Sequence, residues 1–533
     1  MSACTDLDVV NQNQPDRSRA ITTPGDVESL ISGGFLSWHR GNYEWAPGPA
    51  FSTMADEHTA SWGNFGMKDL SSEPRTAFNN DPSYSYAYVA QNPWTFMYRT
   101  LSGARDGLIA INDGLEIGQN GQDTPRARAF ARFLQGIAHG TLAQVYDQAF
   151  ILDENTDLEA ADFSPYNEVL AVALSQLEEA VSIANSNTFT LPAEWMGGVS
   201  VSNVELAQIA HSMIARYMAT VPRTVAERDA VNWNTVISHV DQGITEDKFV
   251  IGEGTCSTCW RDATKAWGGV YSSWARADVR YIGPADQSGA FQAWIATPVA
   301  NRNAILIDTD DLRMTQPGDP ESDGLYTSFE GRNSSAFRPE RGLYHLSDYR
   351  DRRHDDYAAN LTGPAIWLNY AEMELTKAEG LLRTGNTSGA LEIINRYRAN
   401  GGLPPATASG VSGARCVPRT EAGACGDLFE ALKYEKRVEV WHHAMGTAFF
   451  DDRGWGDLVS GTPIHLPVPG NELLILLKDI YTFGGGGEGS APAPGLEVDL
   501  TLDDLSPEEI HRRREALELF DRDFAAEFDG IMN

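Results

Sequence analysis

The sequence lacks several features that would place it quickly. None of its 533 residues falls in a run approaching the roughly 18–20 apolar residues a bilayer crossing takes, so no segment reads as a membrane-spanning helix. Positive charge is scarce. Lys and Arg number 41 against 74 Asp and Glu, and the net charge of −33 at pH 7 repels nucleic acid and anionic lipid surfaces as ligands. Catalytic signatures are missing as well: there is no nucleophile elbow, no phosphate-cradling glycine loop and no HExxH. His442 and His443 adjoin, a spacing that sends them to different faces of a helix. Paired carboxylates abound in so acidic a chain by chance, and spacing alone cannot set two of them across a cleft as a glycosidase needs. The chain is read as a non-enzyme.

What is present is apolar residues and aromatic rings. A hydrophobic content of 42% lets 533 residues bury a large core. The 13 Trp and 18 Tyr crowd into stretches without helical periodicity. Trp38, Tyr43, Trp45, Trp62, Phe65, Tyr84, Tyr86 and Trp94 lie in the first such region, Trp260, Trp267, Tyr271, Trp274, Tyr281 and Trp294 in the second. The C–H faces of sugar rings pack on flat aromatics while Asn, Asp and Arg take the hydroxyls, so such platforms suit a glycan. Asp56, Asn64, Arg75 and Arg261 are the candidate polar flanks. Burial in the core is the competing use of every one of these rings. The run Asp308-Thr309-Asp310-Asp311 is a weak calcium candidate that lacks the spacing of a calcium loop and reads better as a solvated acidic turn; no other cofactor is indicated.

Helical order is clearest between Trp367 and Pro404. Trp367, Ala371, Leu375, Ala378 and Leu382 recur at three and four, predicting one helix with a single buried stripe. Gly385 ends it, Asn386-Thr387-Ser388 caps the next, and Leu391, Ile394 and Tyr397 continue the stripe to Gly401-Gly402. The pair is an αα-hairpin of tetratricopeptide length, a unit that stays exposed unless further hairpins stack on it. Helices are also predicted from about Asp26, over 92–117, 124–150, 164–185, 201–220, 228–242, 365–399 and 427–446. Residues 51–91 read as ordered loop, and 245–360 as a long irregular insertion with short strands, where ligands are usually met.

This hairpin resembles the C-terminal tetratricopeptide hairpin of the RagB/SusD family. Three further stretches are similar in order: LFEALKYEKRVEVWHHAM (428–445) with FFDDRGWGDL (449–458), LPVPGNEL (466–473), and the lipoprotein-like start CTDLDVVN (4–11). The resemblance implies a mainly α, tetratricopeptide-like superhelix with long irregular loop insertions and short strands. It implies a lipid-anchored protein on the outer-membrane surface that binds oligosaccharide or another nutrient and hands it to a SusC-like TonB-dependent transporter. In such proteins glycan contacts come from irregular regions, which raises Trp62, Asn64, Trp260, Trp267 and Trp274, with Arg75 and Tyr271 beside them. A surface protein that assembles with its own copies, or a peptide-binding relative, are the alternatives. The chain departs from the family pattern after the proline element, in Leu474–Phe483, a linker beginning at Gly484 and an acidic tail over 496–533 with an amphipathic helix from Pro507.

Only Met1-Ser2-Ala3 precede Cys4, small residues of the kind a lipoprotein signal leaves at its cleavage site, so Cys4 is the expected lipidation site. The other cysteines then form an even set. Cys256 with Cys259 and Cys416 with Cys425 are expected as disulfides, with zinc binding and free thiols as alternatives. The organisation expected is an N-terminal segment (1–91), helical hairpins (92–244), the loop-rich insertion and candidate ligand region (245–360), the C-terminal hairpin and its following elements (361–483), and the linker with tail helix (484–533).

Overall fold

Helix starts in this chain are set by short polar side chains. Thr23 accepts from the Asp26 N–H while the Asp26 carboxylate takes the Thr23 N–H, a reciprocal cap that opens α1 (Pro24–Ser32). In the computed structural model, which describes residues 23–60, 64–256, 259–268, 275–331, 347–443 and 446–485, α1 is followed by α2 (Gly34–Tyr43) and α3 (Gly48–Met54). The long helices come next: α4 (Tyr88–Asn112), α5 (Thr124–Val145), α6 (Tyr166–Ser186), α7 (Asn203–Thr220) and α8 (Trp233–Asp241). After the insertion, which holds the short α9 (Ala263–Gly268), come α10 (Tyr370–Arg383), α11 (Thr387–Asn400), α12 (Leu428–Val440), α13 (Thr447–Trp455) and α14 (Gly470–Ile475).

Each long helix packs on the next: α4 on α5, α5 on α6, α6 on α7, α7 on α8, α8 on α10, and α10 on α11 and α12. The result is a tetratricopeptide-like array of helical hairpins. Close approach in its middle depends on glycine. A Cβ at Gly136 of α5 would fall 2.5 Å from Leu177 Cγ, and one at Gly140 2.2 Å from the Tyr217 ring. The hairpin read from sequence is α10–α11. Asn369 caps α10 by accepting from Glu372 N–H, Asn386 caps α11 by accepting from Gly389 N–H, and Leu375, Ala378, Ile394 and Leu432 form its own apolar cluster.

Two expectations need correction. The stripe begins at Ala371, since Trp367 lies in a strand and not in the helix. Strand β10 (Thr362–Leu368) pairs antiparallel with β6 (Lys248–Glu253), Ala365 opposite Val250, and Asn369 stops the strand by capping α10. The pairing joins the start of the loop-rich insertion to the start of the C-terminal hairpin. The stretch 51–91 is also less of a loop than its composition suggests, because the end of α3, strand β1 (His58–Ala60) and a short helix at Met67–Ser71 lie within it.

The remaining strands are short. Hairpins β2–β3 (Gln148–Phe150 with Phe163–Pro165) and β4–β5 (Thr190–Leu191 with Val201–Ser202) close loops beside the helices. Strand β1 pairs with β7 (Ala275–Ala277), and β8 (Thr327–Phe329) with β9 (Tyr349–Asp351), which packs beside β7.

Buried ion pairs clamp the array. Arg228 holds Glu379 of α10 through two bonds of 2.8 and 2.6 Å and reaches Asp451 of α13 at 2.9 Å; the Arg228 and Glu379 side chains are fully buried. Arg216 of α7 binds Glu372 of α10 in the same bidentate way. Past α14 the chain returns to the N-terminal part, where Asn80 donates to the carbonyls of Val468 and Tyr481 and Phe78 N–H bonds Phe483 C=O. The residues that depart from the family pattern thus form a strap across the body, while the tail helix expected from Pro507 lies outside the described residues.

Candidate functional site

The two aromatic stretches meet at one corner. Strand β1 ends at Ala60 and β7 begins at Ala275, and these two residues are register partners in the antiparallel pair, with His58 opposite Ala277. In sequence, Trp62 follows the end of β1, and Tyr271 and Trp274 precede the start of β7. All three side chains lie outside the described residues. Asn64 opens a 3₁₀ turn, Asn64–Gly66, and its side chain is likewise outside them.

Under this corner sits a closed cluster of rings. Helix α9 brings in Trp267, which is fully buried with its ring centroid 4.8 Å from His58 and 5.9 Å from His442. The end of α12 contributes Trp441, His442 and His443; Trp441 stacks on His58 at 5.2 Å and on Tyr281 at 4.5 Å. His354 stands 5.8 Å from His442 and 5.0 Å from His443. His442 adopts φ +64°, the left-handed region that only a few per cent of non-Gly residues enter, Asn, Asp and His most readily. Its ring lies where only Gly268 leaves space, since a Cβ there would come within 1.8 Å of His442 Cε1.

The polar atoms of this cluster are incompletely paired. His58 Nε2, His354 Nε2, both nitrogens of His442, His443 Nδ1, Trp267 Nε1, Trp441 Nε1 and Tyr281 OH are buried without a hydrogen-bond partner. The hydroxyl of Ser52 donates to Glu57, so it accepts from His58 Nδ1–H at 2.7 Å and leaves His58 Nε2 as a bare acceptor. Arg353 donates to His443 Nε2 at 3.3 Å, which puts the His443 proton on the unpartnered Nδ1. Asp351 is the central anion. Its Oδ2 lies 3.6 Å from His442 Nδ1 and 3.9 Å from His354 Nε2, and Oδ1 pairs with Arg353 at 3.3 Å. Burial drives the His58, His354 and His443 rings well below the usual histidine range, and it raises the Glu57 carboxyl. Burial opposes the charge of Asp351 as well, yet Arg353 and the neighbouring histidines outweigh it and hold its carboxyl well below the usual range.

Four sequence candidates serve the interior and not an open face. Trp267 is the floor of the cluster just described. Trp260 is 7% exposed, packed against Phe35 and His39 at 5.7 Å from each. Arg75 is buried, its Nη2 bridging both oxygens of Asp56 at 2.9 and 2.8 Å and its Nε bonded to Thr462. Arg261 is turned to Glu44 in the same manner. A guanidinium beside a buried carboxylate gains a charge-assisted pair that a loop position in the sequence does not announce.

The remaining candidates are placed as follows. Disulfides join Cys256 to Cys259 and Cys416 to Cys425. The acidic run at 308–311 is engaged by arginine: Arg415 takes Asp308 and Asp310, and Arg313 with Tyr434 takes the fully buried Asp311. Cys4 lies outside the described residues. Among those residues no group of three His, Cys, Asp or Glu side chains has metal-binding spacing, and no helix is long and apolar enough to cross a membrane.

One concavity escaped the sequence reading. A cleft of about 740 Å³ opens between α1–α2 and α4, lined by Leu30, Ser37, Gln91, Trp94, Tyr98 and Glu472 among others. Its α4 lining, Gln91, Trp94, Tyr98, Ser102 and Asp106, follows one helical face, but that face mixes polar and aromatic residues, and its partners from α1, α2 and α14 are remote in sequence.

The chain matches no protein-family profile, and no curated protein matches it in sequence. Solved structures do resemble it. A SusD homolog from Bacteroides thetaiotaomicron superposes with a TM-score of 0.55 at 14% identity, covering 89% of this chain and 92% of that one. A SusD superfamily protein from Bacteroides fragilis gives 0.51 at 13% identity, covering 86% and 99%. Another from Bacteroides thetaiotaomicron gives 0.50 at 14%, covering 85% and 96%. The chain has the SusD-like fold over nearly its whole described length.

Proposed function

We propose that this protein is a lipid-anchored outer-membrane surface protein that captures a glycan at the β1–β7 corner and delivers it to a SusC-like TonB-dependent transporter. The observation that carries the reading is the register of β1 with β7: Ala60 opposite Ala275 sets the end of β1, which Trp62 follows in sequence, beside the start of β7, which Tyr271 and Trp274 precede. Trp62, Asn64, Tyr271 and Trp274 are then the ligand-contacting residues. Rings from two segments flank a sugar as a platform, with polar groups at the edge fixing its orientation. The SusD-like fold supports the same role, because it places irregular segments on a rigid helical scaffold, the arrangement in which loops carry binding. Cys4 is the acylated residue in this account, and the helical array faces the transporter. No residue is assigned a catalytic role.

Glycan and peptide arrays on the protein lacking residues 1–4 test the reading. The expected result is retention of one polysaccharide class, abolished by Trp62→Ala and by Trp274→Ala. Retention of basic peptides instead would move the chain to the peptide-binding alternative. Silence on both, with oligomers that dissociate when 496–533 are removed, would replace capture by self-assembly.

A further inference from the structure

The ring cluster beneath the corner has a second property that does not depend on glycan binding. Three elements close on it: the α3–β1 turn through His58, the segment after β9 through His354, and the end of α12 through His442 and His443. The charged groups facing it are Glu57 from the α3–β1 turn, Lys265 from α9, Asp351 from β9, Arg353 after β9 and Arg437 from α12. Every cation among them is already engaged. Lys265 pairs with Asp262, Arg437 with Asp452, and Arg353 with Asp351. Arg353 also binds the end of α12, donating to the carbonyls of Val438, Glu439 and Trp441. Among the described residues Asp351 is the carboxylate nearest His354 and His442, and it is shared with a guanidinium, while Glu57 lies 3.9 Å from His58 Nδ1. Glu57 is committed to Ser52.

A cluster built this way holds together only while its rings are neutral. Neutral, His58 stacks on Trp441 and packs on Trp267, His442 meets Trp267 edge-on, and His354 packs on His442 and His443. Charged, His58, His354 and His443 become cations packed within 4.8–5.8 Å of a neighbouring ring, with His58 Nε2 lacking any acceptor and Asp351 already shared with Arg353. His442 adds a conformational bias, since its left-handed backbone is held by the surrounding packing and relaxes once that packing is lost.

We propose that the ring cluster of His58, His354 and His443 packed around His442 is an acid-released latch: near neutral pH it holds the end of α12 against β1, α9 and β9, and proton uptake by His58, His354 and His443 at acidic pH frees that end and loosens the β1–β7–β9 corner. Each histidine that is buried when closed and solvated when open, with an ordinary value near 6.5, favours opening by about tenfold between pH 7.5 and 5.5. Several such groups multiply.

Hydrogen exchange on the full chain at pH 7.5 and 5.5, corrected for intrinsic rates, tests the latch. At pH 5.5 the segments around His58–Ala60, Ala263–Gly268, Ala275–Ala277, Tyr349–Asp351 and Trp441–His443 are expected to open at least tenfold more often, while α5 and α6 stay protected. In His58→Gln with His443→Gln the acid-induced increase shrinks by at least tenfold. Histidine proton titration of the unmodified chain, followed by NMR, supplies a readout that needs no variant. The latch predicts rings that resist protonation and then titrate together where exchange rises. Equal corner protection at both pH values, an undiminished increase in the glutamine variant, or His58, His354 and His443 titrating independently near 6.5 would overturn it.

Discussion

Glu379 shows how much one side chain holds in this molecule. Burial works against its charge, but Arg228, with Lys436 and Arg383, outweighs that cost and keeps the carboxyl at about 2. Replacing it leaves Arg228 buried without its bidentate partner. Glu379→Ala is expected to lower unfolding free energy by about 3–5 kcal/mol in urea titration, the range for breaking a buried pair. A loss below about 1 kcal/mol would mean that Asp451 and water replace the carboxylate. Single residues also mark what the sequence can reveal. Asn386 is recognisable as a cap because its role is local, and the cysteine pairs because their spacings are short. Trp260, Trp267 and Arg75 are not, since a ring in a loop has the same neighbours in sequence whether it faces ligand or core. Only His58 and His442, remote along the chain, decide the position of Trp267.

Among the elements, helices with a clean stripe were legible and their ends less so. Trp367 fits the helical period of α10, yet the β6–β10 pairing claims it, because strand partners lie too far away in sequence to read. The short strands β1 and β7 were invisible for the same reason, and with them the corner they form. The middle of the array makes a sharper prediction. Helices α5 and α7 approach closely only because Gly140 has no side chain, so Gly140→Ala forces the Tyr217 ring aside and is expected to cost about 1–3 kcal/mol, read as a lower denaturation midpoint. The Tyr217 hydroxyl bonds Ile137 C=O at 2.8 Å, and the same variant should weaken that bond, visible as faster exchange along α5. Unchanged stability would show that α7 can shift without loss.

For the whole molecule, the charge and fold class were readable early, the first from composition and the second from four ordered motifs. The acid response follows from burial and was not. Burial lowers eight histidines and so disfavours their protons; of these His58, His354 and His443 are pushed well down, His39 to about 3, His139 to about 4 and His465 to about 2, with His211 and His239 lowered as well. Below about 6.5 the unfolded chain binds those protons and the native one does not, so stability falls as pH drops, by about 1.4 kcal/mol per histidine between pH 7.5 and 5.5. Burial raises Asp452 to about 7 and Asp147 to about 6, and these act in the opposite sense by gaining protons first in the native state. Burial also raises Glu57, Asp247, Glu435 and Glu472, which oppose the histidines in the same sense, so a net fall in stability smaller than the histidine share alone is expected, to be checked by denaturant unfolding at pH 7.5, 6.5 and 5.5. A flat profile would contradict the neutral, buried state of these rings.

The central claim is that the β1–β7 pairing makes one ligand platform from two segments. Calorimetric titration of the array-selected glycan into the unmodified protein, Trp62→Ala, Trp274→Ala and the double variant tests it most directly. Each single change is predicted to weaken binding by about tenfold or more, roughly 1.4 kcal/mol, and the double change by less than the product, because both rings serve the same sugar. Binding unchanged in either single variant, or losses that multiply in full, would contradict a shared platform.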